Sequence, residues 1–187
     1  GVKAMVASRA VLVESVHNFC PVPVGALRPH PELYTPASTD RREREYAVTH
    51  ISKTLRFAAE VGAKVVVCHS GNVDMPKHSF DLLRMASRGE HFSEAYESLK
   101  LKAQLTRDKK APKQIEYLAD ALDKLVPVVR ETGVSLALEN LPTWEAIPTE
   151  LEAEQLMKRY YVSGIRLWWD IGHAQIRENL GFINAAR

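Results

Sequence analysis

Short apolar runs alternate along the chain with longer amphipathic segments. The four apolar runs lie in "AVLVESVH", "AKVVVCHSG", "VSLALEN" and "GIRLWWD", and the first is predicted as a strand from Val11 to about Val16. Strands that are apolar on both faces and separated by helices are typical of a parallel sheet covered by helices. The pattern therefore predicts an α/β fold with about four parallel strands.

The segment "STDRREREYAVTHISKTLRFAAEVG" predicts the first long helix. Asp40 is a suitable N-cap, and Gly62 is placed to end the helix. Ile51, Leu55 and Ala58 recur on one face, which we expect to face the sheet.

A second helix is predicted over "KQIEYLADALDKLVPVVRETG", where apolar residues recur at steps of three and four and Gly133 supplies the stop. The charged segment before it, from about Asn72 to Pro112, is expected to be helix and exposed loop. A third helix should begin near Thr149, since Thr149 and Glu152 form a capping box.

Composition narrows the class of protein. The 187 residues carry a formal charge of +2 and are 45% hydrophobic, which predicts one domain over residues 1–187 and no nucleic-acid partner. No apolar run approaches the roughly 20 residues of a membrane span, and no signal peptide is evident. Two cysteines, Cys20 and Cys68, without disulfide spacing predict a cytoplasmic protein, and no Gly-rich phosphate loop follows a strand.

Metal-capable side chains end all four predicted strands. The first strand ends on His17, the second on His69, the third on Glu139 and the fourth on Asp170, with His173 just beyond. In a parallel sheet these ends share one edge, and in a (β/α) barrel they ring one mouth, where such folds carry their chemistry. Imidazole and carboxylate donors together suit a divalent ion such as Mn, Zn or Co, while Mg would use mainly the carboxylates.

Each of these residues also has a purely structural interpretation. A single histidine after a strand is usually a loop residue, and Glu139 or Asp170 could cap the helix that follows. A buried carboxylate without a partner costs several kcal/mol, however, and a metal is a natural partner. Two further observations suggest a sugar-sized pocket: Asn140 and Trp144 follow Glu139, and at least one of the paired tryptophans before Asp170 should lie in the core.

The segments "VESVHNFCPVP", "KVVVCHSG", "LALENLP" and "LWWDIGHA" resemble successive strand ends of the xylose isomerase-like TIM-barrel superfamily, which holds sugar isomerases, sugar epimerases and endonuclease IV. The resemblance runs from about Val11 to Gly181. It implies a (β/α)8 TIM-barrel type of fold. It also implies proton transfer next to a carbonyl, assisted by a divalent metal, on a small sugar-like substrate.

The resemblance also implies roles for individual residues. Glu139 matches a glutamate that binds the metal and acts as acid and base, and Asp170 matches an aspartate metal ligand. His17, His69 and His173 match histidines that contact substrate in the sugar enzymes and bind metal in the nuclease branch. Asn140 and Trp144, which follow Glu139, are predicted as further substrate contacts from their position.

Length sets this chain apart from the superfamily, because a complete barrel needs about 250 residues. We therefore expect a partial barrel from a longer protein. Its open sheet edges would favour a homo-oligomer.

Two other functions stay open. One is an endonuclease IV-like phosphodiesterase acting on abasic DNA, for which His17 and His69 are suitable. The other is a non-catalytic ligand-binding protein, since half of the barrel would be absent.

Overall fold

A computed structural model describes residues 1–19 and 32–183, and in these residues four parallel strands form one sheet. The strands pair in chain order, β1-β2-β3-β4. Their bounds are β1 Ser15–His17, β2 Val65–Cys68, β3 Ser135–Glu139 and β4 Ile165–Trp168. The predicted α/β fold is confirmed, and its form is a partial TIM barrel. The first strand begins later than predicted and includes His17.

Helices connect each strand to the next and cover the sheet. Their bounds are α1 Val2–Ala7, α2 Arg41–Glu60, α3 His78–Ser87, α4 Glu94–Thr132, α5 Glu150–Tyr160 and α6 Ile171–Asn179, with a 3-10 turn at Tyr161–Ser163. The core lies between sheet and helices: Val66, Leu136 and Ile165 are buried in the same cluster as Leu55 and Leu122. No helix among the described residues is long and apolar enough to cross a membrane.

The first long helix, α2, forms as predicted because its signals are local. The Asp40 carboxylate accepts hydrogen bonds from the backbone N–H groups of Arg42 and Glu43. Ile51, Leu55 and Ala58 are buried on one face.

Helix α4 is much longer than predicted, with 39 residues that continue through Pro112. Ser93 caps its start by accepting from the N–H of Tyr96. Arg107 in its first half and Gln114 just past its middle face the interior, where both are 3% exposed. Arg107 interrupts the apolar stripe in the first half, so the stripe is visible in the sequence only in the second half.

A buried ion pair ties α4 to the connection between β3 and α5. The Arg107 guanidinium donates to both carboxylate oxygens of Glu152, at 2.6 and 2.8 Å. It also donates to the carbonyl oxygens of Trp144 and Ala146. Glu152 closes the predicted capping box with Thr149, which is confirmed. The Arg107 side chain thus holds the loop that follows Glu139 in place.

Trp168, the last residue of β4, and Trp169, which follows it, depart from the prediction that at least one of them lies in the core. Trp168 is 40% exposed and Trp169 is 45% exposed. The reason is that β4 is an edge strand of the described sheet, so no further strand packs beside it. Leu151 and Ile171 are exposed as well.

The Arg107–Glu152 pair makes a stability prediction. Burial raises the pKa of Glu152, but the hydrogen bond and charge of Arg107 outweigh it and hold the pKa below the ordinary 4.5. A lowered pKa in the folded state gives stability that is present above the ordinary pKa and is lost as pH falls through the folded value. We expect Glu152→Gln to reduce the free energy of unfolding by about 3 kcal/mol at neutral pH, with a smaller difference in acid.

Urea unfolding at a series of pH values measures this effect. The matched control is Glu154→Gln on the same helix, where the exposed carboxylate pairs only with Lys158 among the described residues. This control should leave the unfolding curve nearly unchanged. Equal losses in the two variants would contradict the role of the buried pair.

Candidate functional site

The site lies at the carboxyl ends of the strands, as the parallel sheet requires. His17 is the last residue of β1, His69 follows β2, and Glu139 is the last residue of β3. Asn18 fixes the end of β1, because its N–H donates to Val67 O and its side chain accepts from Thr54 Oγ1. Hydrogen bonds of the sheet and its helices therefore set the places of these side chains.

Glu139 is the centre of the cluster and is 6% exposed. Its Oε2 lies 3.1 Å from His17 Nε2 and 3.2 Å from His69 Nε2. The three ligand atoms lie within 4.8 Å of one another, as a metal site requires. Two imidazole nitrogens and one carboxylate oxygen are a donor set suited to Zn, Mn or Co.

A second group of donors meets the other oxygen of Glu139. His173 Nδ1 lies 3.6 Å from Glu139 Oε1 and 3.9 Å from Asp170 Oδ2. These three residues also satisfy the spacing of a metal site. The same His173 nitrogen, however, lies only 2.8 Å from the carbonyl oxygen of Asn140. Since a carbonyl oxygen only accepts, this nitrogen carries the proton and its lone pair is not available to a cation.

Asp170 serves the fold as well as the site. Its Oδ1 accepts from the backbone N–H of His173 and caps α6, which was the structural alternative in the sequence. Its Oδ2 remains on the side of Glu139 and His173. One carboxylate thus combines a cap with a candidate ligand oxygen.

Asn140 holds the ends of β3 and β4 together. Its side-chain oxygen accepts from the N–H of Asp170 at 2.6 Å, and its amide nitrogen donates to Asp170 O at 3.0 Å. The Asn140 side chain therefore helps to place Asp170, and its predicted contact with substrate stays a prediction.

Trp144 lies in a different cluster from the Glu139 group. Its ring stacks on Phe182 at a centroid distance of 4.6 Å. The guanidinium groups of Arg107 and Arg177 each lie 5.4 Å from the ring. Trp144 also borders a groove of about 730 Å³ between α5 and α6. No contact joins it to Glu139 among the described residues, and its predicted substrate contact stays a prediction.

Cys68 is fully buried as the last residue of β2. Burial, with the nearby charge of Glu139, raises the pKa of its thiol to about 12. The thiol is therefore protonated at neutral pH and packs as a small apolar side chain. Cys20 lies outside the described residues.

One site residue was not predicted from the sequence. Glu32 Oε1 lies 3.2 Å from His69 Nδ1, and Glu32 Oε2 accepts from Asn72 Nδ2 at 3.0 Å. Glu32 is far from any strand end in the sequence, so only the tertiary fold reveals its contact with His69.

Comparison with solved structures supports the fold. A D-tagatose 3-epimerase-like protein is 19% identical, with a TM-score of 0.57, 98% of this chain covered and 57% of that chain. A 3-keto-D-glucoside 4-epimerase from E. coli is 16% identical, with a TM-score of 0.61 and coverages of 94% and 54%. A D-psicose 3-epimerase is 12% identical, with a TM-score of 0.60 and coverages of 95% and 50%. This chain spans about half the length of these proteins.

Comparison with curated proteins finds no match. The family model described as "Xylose isomerase-like TIM barrel", in contrast, matches residues 15–187, which include all four strands and every residue of the Glu139 group. The chain therefore belongs to the xylose isomerase-like TIM-barrel family.

Proposed function

We propose that this chain forms part of a divalent-metal-dependent sugar or polyol-derivative isomerase or epimerase. The observation that carries the proposal is the buried Glu139 carboxylate, which has imidazoles on both of its oxygens. Three proteins of similar structure, a D-tagatose 3-epimerase-like protein, a 3-keto-D-glucoside 4-epimerase and a D-psicose 3-epimerase, support the same class of reaction.

The proposed metal ligands are Glu139 and Asp170, with His17 and His69 as further donors on the Oε2 side of Glu139. Glu139 joins two groups with the spacing that a divalent cation needs, because its carboxylate lies within 4.8 Å of the ring nitrogens of His17 and His69 on one side and of Asp170 and His173 on the other. A cation bound there would polarise a substrate carbonyl and stabilise an enediolate.

The reaction proposed for Glu139 is proton transfer next to that carbonyl. A carboxylate can take a proton from a carbon and return it, which is what isomerisation and epimerisation both require. Burial at 6% exposure keeps water from competing for the same proton. His17, His69 and His173 surround the carboxylate and can hydrogen-bond the oxygens of a small polyol.

A phosphodiesterase acting on abasic DNA is the second candidate function. The His17–His69–Glu139 group favours it, because two histidines and a carboxylate would also hold the zinc that such chemistry uses. A formal charge of only +2 opposes it, since duplex DNA is bound mainly through its phosphates.

Metal binding distinguishes the two donor groups. Asp170→Asn keeps the α6 cap, because asparagine caps as well as aspartate, but it removes the charge. His69→Ala removes a donor from the other group. We expect calorimetric titration with Mn²⁺ and with Zn²⁺ to show binding by the wild type. Removing a residue that only hydrogen-bonds to a metal ligand lowers metal affinity by roughly 10- to 100-fold. Each of these variants removes a proposed ligand and should therefore lose more affinity than that.

His91→Gln provides the control, because this histidine stacks on Phe92 and meets Tyr96 edge-on, away from the site. An unchanged affinity in both site variants would rule out the proposed ligands. A loss in only one variant would identify the group that holds the ion.

Glu139→Gln tests the acid–base role. Glutamine keeps the shape of the side chain but cannot carry the proton, so turnover should fall by about 10²- to 10⁴-fold. The assay is exchange of a substrate C–H proton with deuterated water, followed by NMR on a panel of ketoses and cyclic polyols. Glu154→Gln is the control at an exposed site, and circular dichroism checks that both variants fold. Turnover by Glu139→Gln at the wild-type rate would refute the role of this carboxylate.

DNA cleavage tests the second candidate. We expect no cleavage of a duplex with an abasic site at low or high salt. The nuclease alternative instead predicts cleavage that weakens steeply as salt rises, because each phosphate contact releases counterions. Cleavage of that kind, lost in His69→Ala, would replace the isomerase proposal.

A further inference from the structure

Glu32 contacts the histidine that ends β2 from the side opposite Glu139. The His69 ring lies between two carboxylates, with Nδ1 3.2 Å from Glu32 Oε1 and Nε2 3.2 Å from Glu139 Oε2. A neutral imidazole carries one proton, so only one of these contacts can be an N–H donated to a carboxylate. The partner that takes the proton decides what the other nitrogen can do.

Glu32 is held so that it can take that proton. Its second oxygen accepts from Asn72 Nδ2 at 3.0 Å. The backbone carbonyl oxygen of Asn72 accepts from Gln114 Nε2 at 2.9 Å, and Gln114 Oε1 accepts from the backbone N–H of Asp74. Gln114 belongs to α4 and is 3% exposed. The longest helix of the described chain therefore fixes Glu32 through a continuous series of hydrogen bonds.

The two histidines on Glu139 Oε2 have different partners on their other nitrogen. His17 Nδ1 lies 3.2 Å from the backbone carbonyl of Asn18, which is neutral. His69 Nδ1 meets a charged carboxylate, and hydrogen bonds to charged groups are roughly twice as strong as neutral ones. Glu139 meanwhile shares its Oε2 between the two rings. The contact of His69 Nδ1 with Glu32 has the geometry of a hydrogen bond, whereas the contact of Nε2 with Glu139 is only a close charge contact.

We propose that Glu32 is a positioning residue that holds the proton of His69 on Nδ1 and leaves the lone pair of Nε2 facing Glu139. This makes Nε2 a donor for a cation shared with His17 and Glu139. Outer carboxylates that fix a ligand histidine in this way also raise its basicity. The consequence for metal affinity rests on the proposed function, whereas the position of the proton is a property of the chain alone.

The proton position is measured directly in the protein without metal. Two-bond ¹H–¹⁵N NMR spectra at mildly alkaline pH distinguish an imidazole protonated on Nδ1 from one protonated on Nε2. His69→Gln assigns the signals of the ring. We expect His69 of the wild type to carry its proton on Nδ1, and we expect Glu32→Gln to move a substantial part of it to Nε2, because a neutral amide can turn either its oxygen or its NH₂ toward the ring.

Metal affinity gives the second readout, with Co²⁺ alone as the probe. Glu32→Gln should weaken Co²⁺ binding by about 10- to 100-fold while the visible absorption spectrum of the saturated site stays like that of the wild type. Glu32→Asp retains a carboxylate and should lie closer to the wild type than Glu32→Gln. Glu43→Gln, an exposed acid in the first turn of α2, is the control and should bind Co²⁺ like the wild type.

A wild-type His69 protonated on Nε2 would overturn the proposal, and so would unchanged proton position and Co²⁺ affinity in Glu32→Gln. The first of these results does not depend on whether any variant folds. If the wild type binds no Co²⁺, the proposed metal function fails, but the wild-type NMR spectrum still decides the role of Glu32.

Discussion

Burial of the Glu139 carboxylate is the constraint on which the rest of the site depends. A charge at 6% exposure loses most of its contact with water and needs partners that restore the lost free energy of hydration. The parallel sheet supplies them, because it brings the ends of β1 and β2 beside the end of β3. His17 and His69 reach one oxygen, and His173 approaches the other. The fold thus buries the Glu139 carboxylate and also brings together the imidazoles that offset its loss of hydration.

Helix α4 supports this arrangement from outside the barrel mouth. Arg107 holds the loop after Glu139 through two carbonyl oxygens and the Glu152 carboxylate. Gln114, two turns further along, holds Asn72 and through it Glu32. Both side chains are long, polar and almost fully buried. Burying a polar side chain costs free energy unless its donors find acceptors. Arg107 and Gln114 meet this requirement by hydrogen-bonding to the neighbouring loops, and these bonds hold the loops in place.

The parts of the structure that the sequence predicts well are those whose signals lie within a few residues. Asp40 and the Thr149–Glu152 capping box mark helix starts by contacts over two or three positions, and the strand ends follow from apolar runs. The full extent of the first half of α4 was not predicted, because Arg107 lies on its inward face and the burial of Arg107 depends on the loop at Trp144 and Ala146, which is distant in sequence. The exposure of Trp168 and Trp169 likewise follows from the edge position of β4, which no local pattern reveals.

The candidate site divides in the same way. Convergence of His17, His69, Glu139 and Asp170 follows from strand direction alone, so the sequence suffices for it. The proton on a ring nitrogen does not follow from residue type, because it depends on the neighbour behind the ring. His173 resembles a ligand in the sequence, yet the carbonyl of Asn140 occupies its nearer nitrogen. His69 has the reverse arrangement, since Glu32 occupies the far nitrogen and leaves the near one facing Glu139. Two histidines of the same cluster are thereby suited to different tasks, one to donate a hydrogen bond and the other to share a cation.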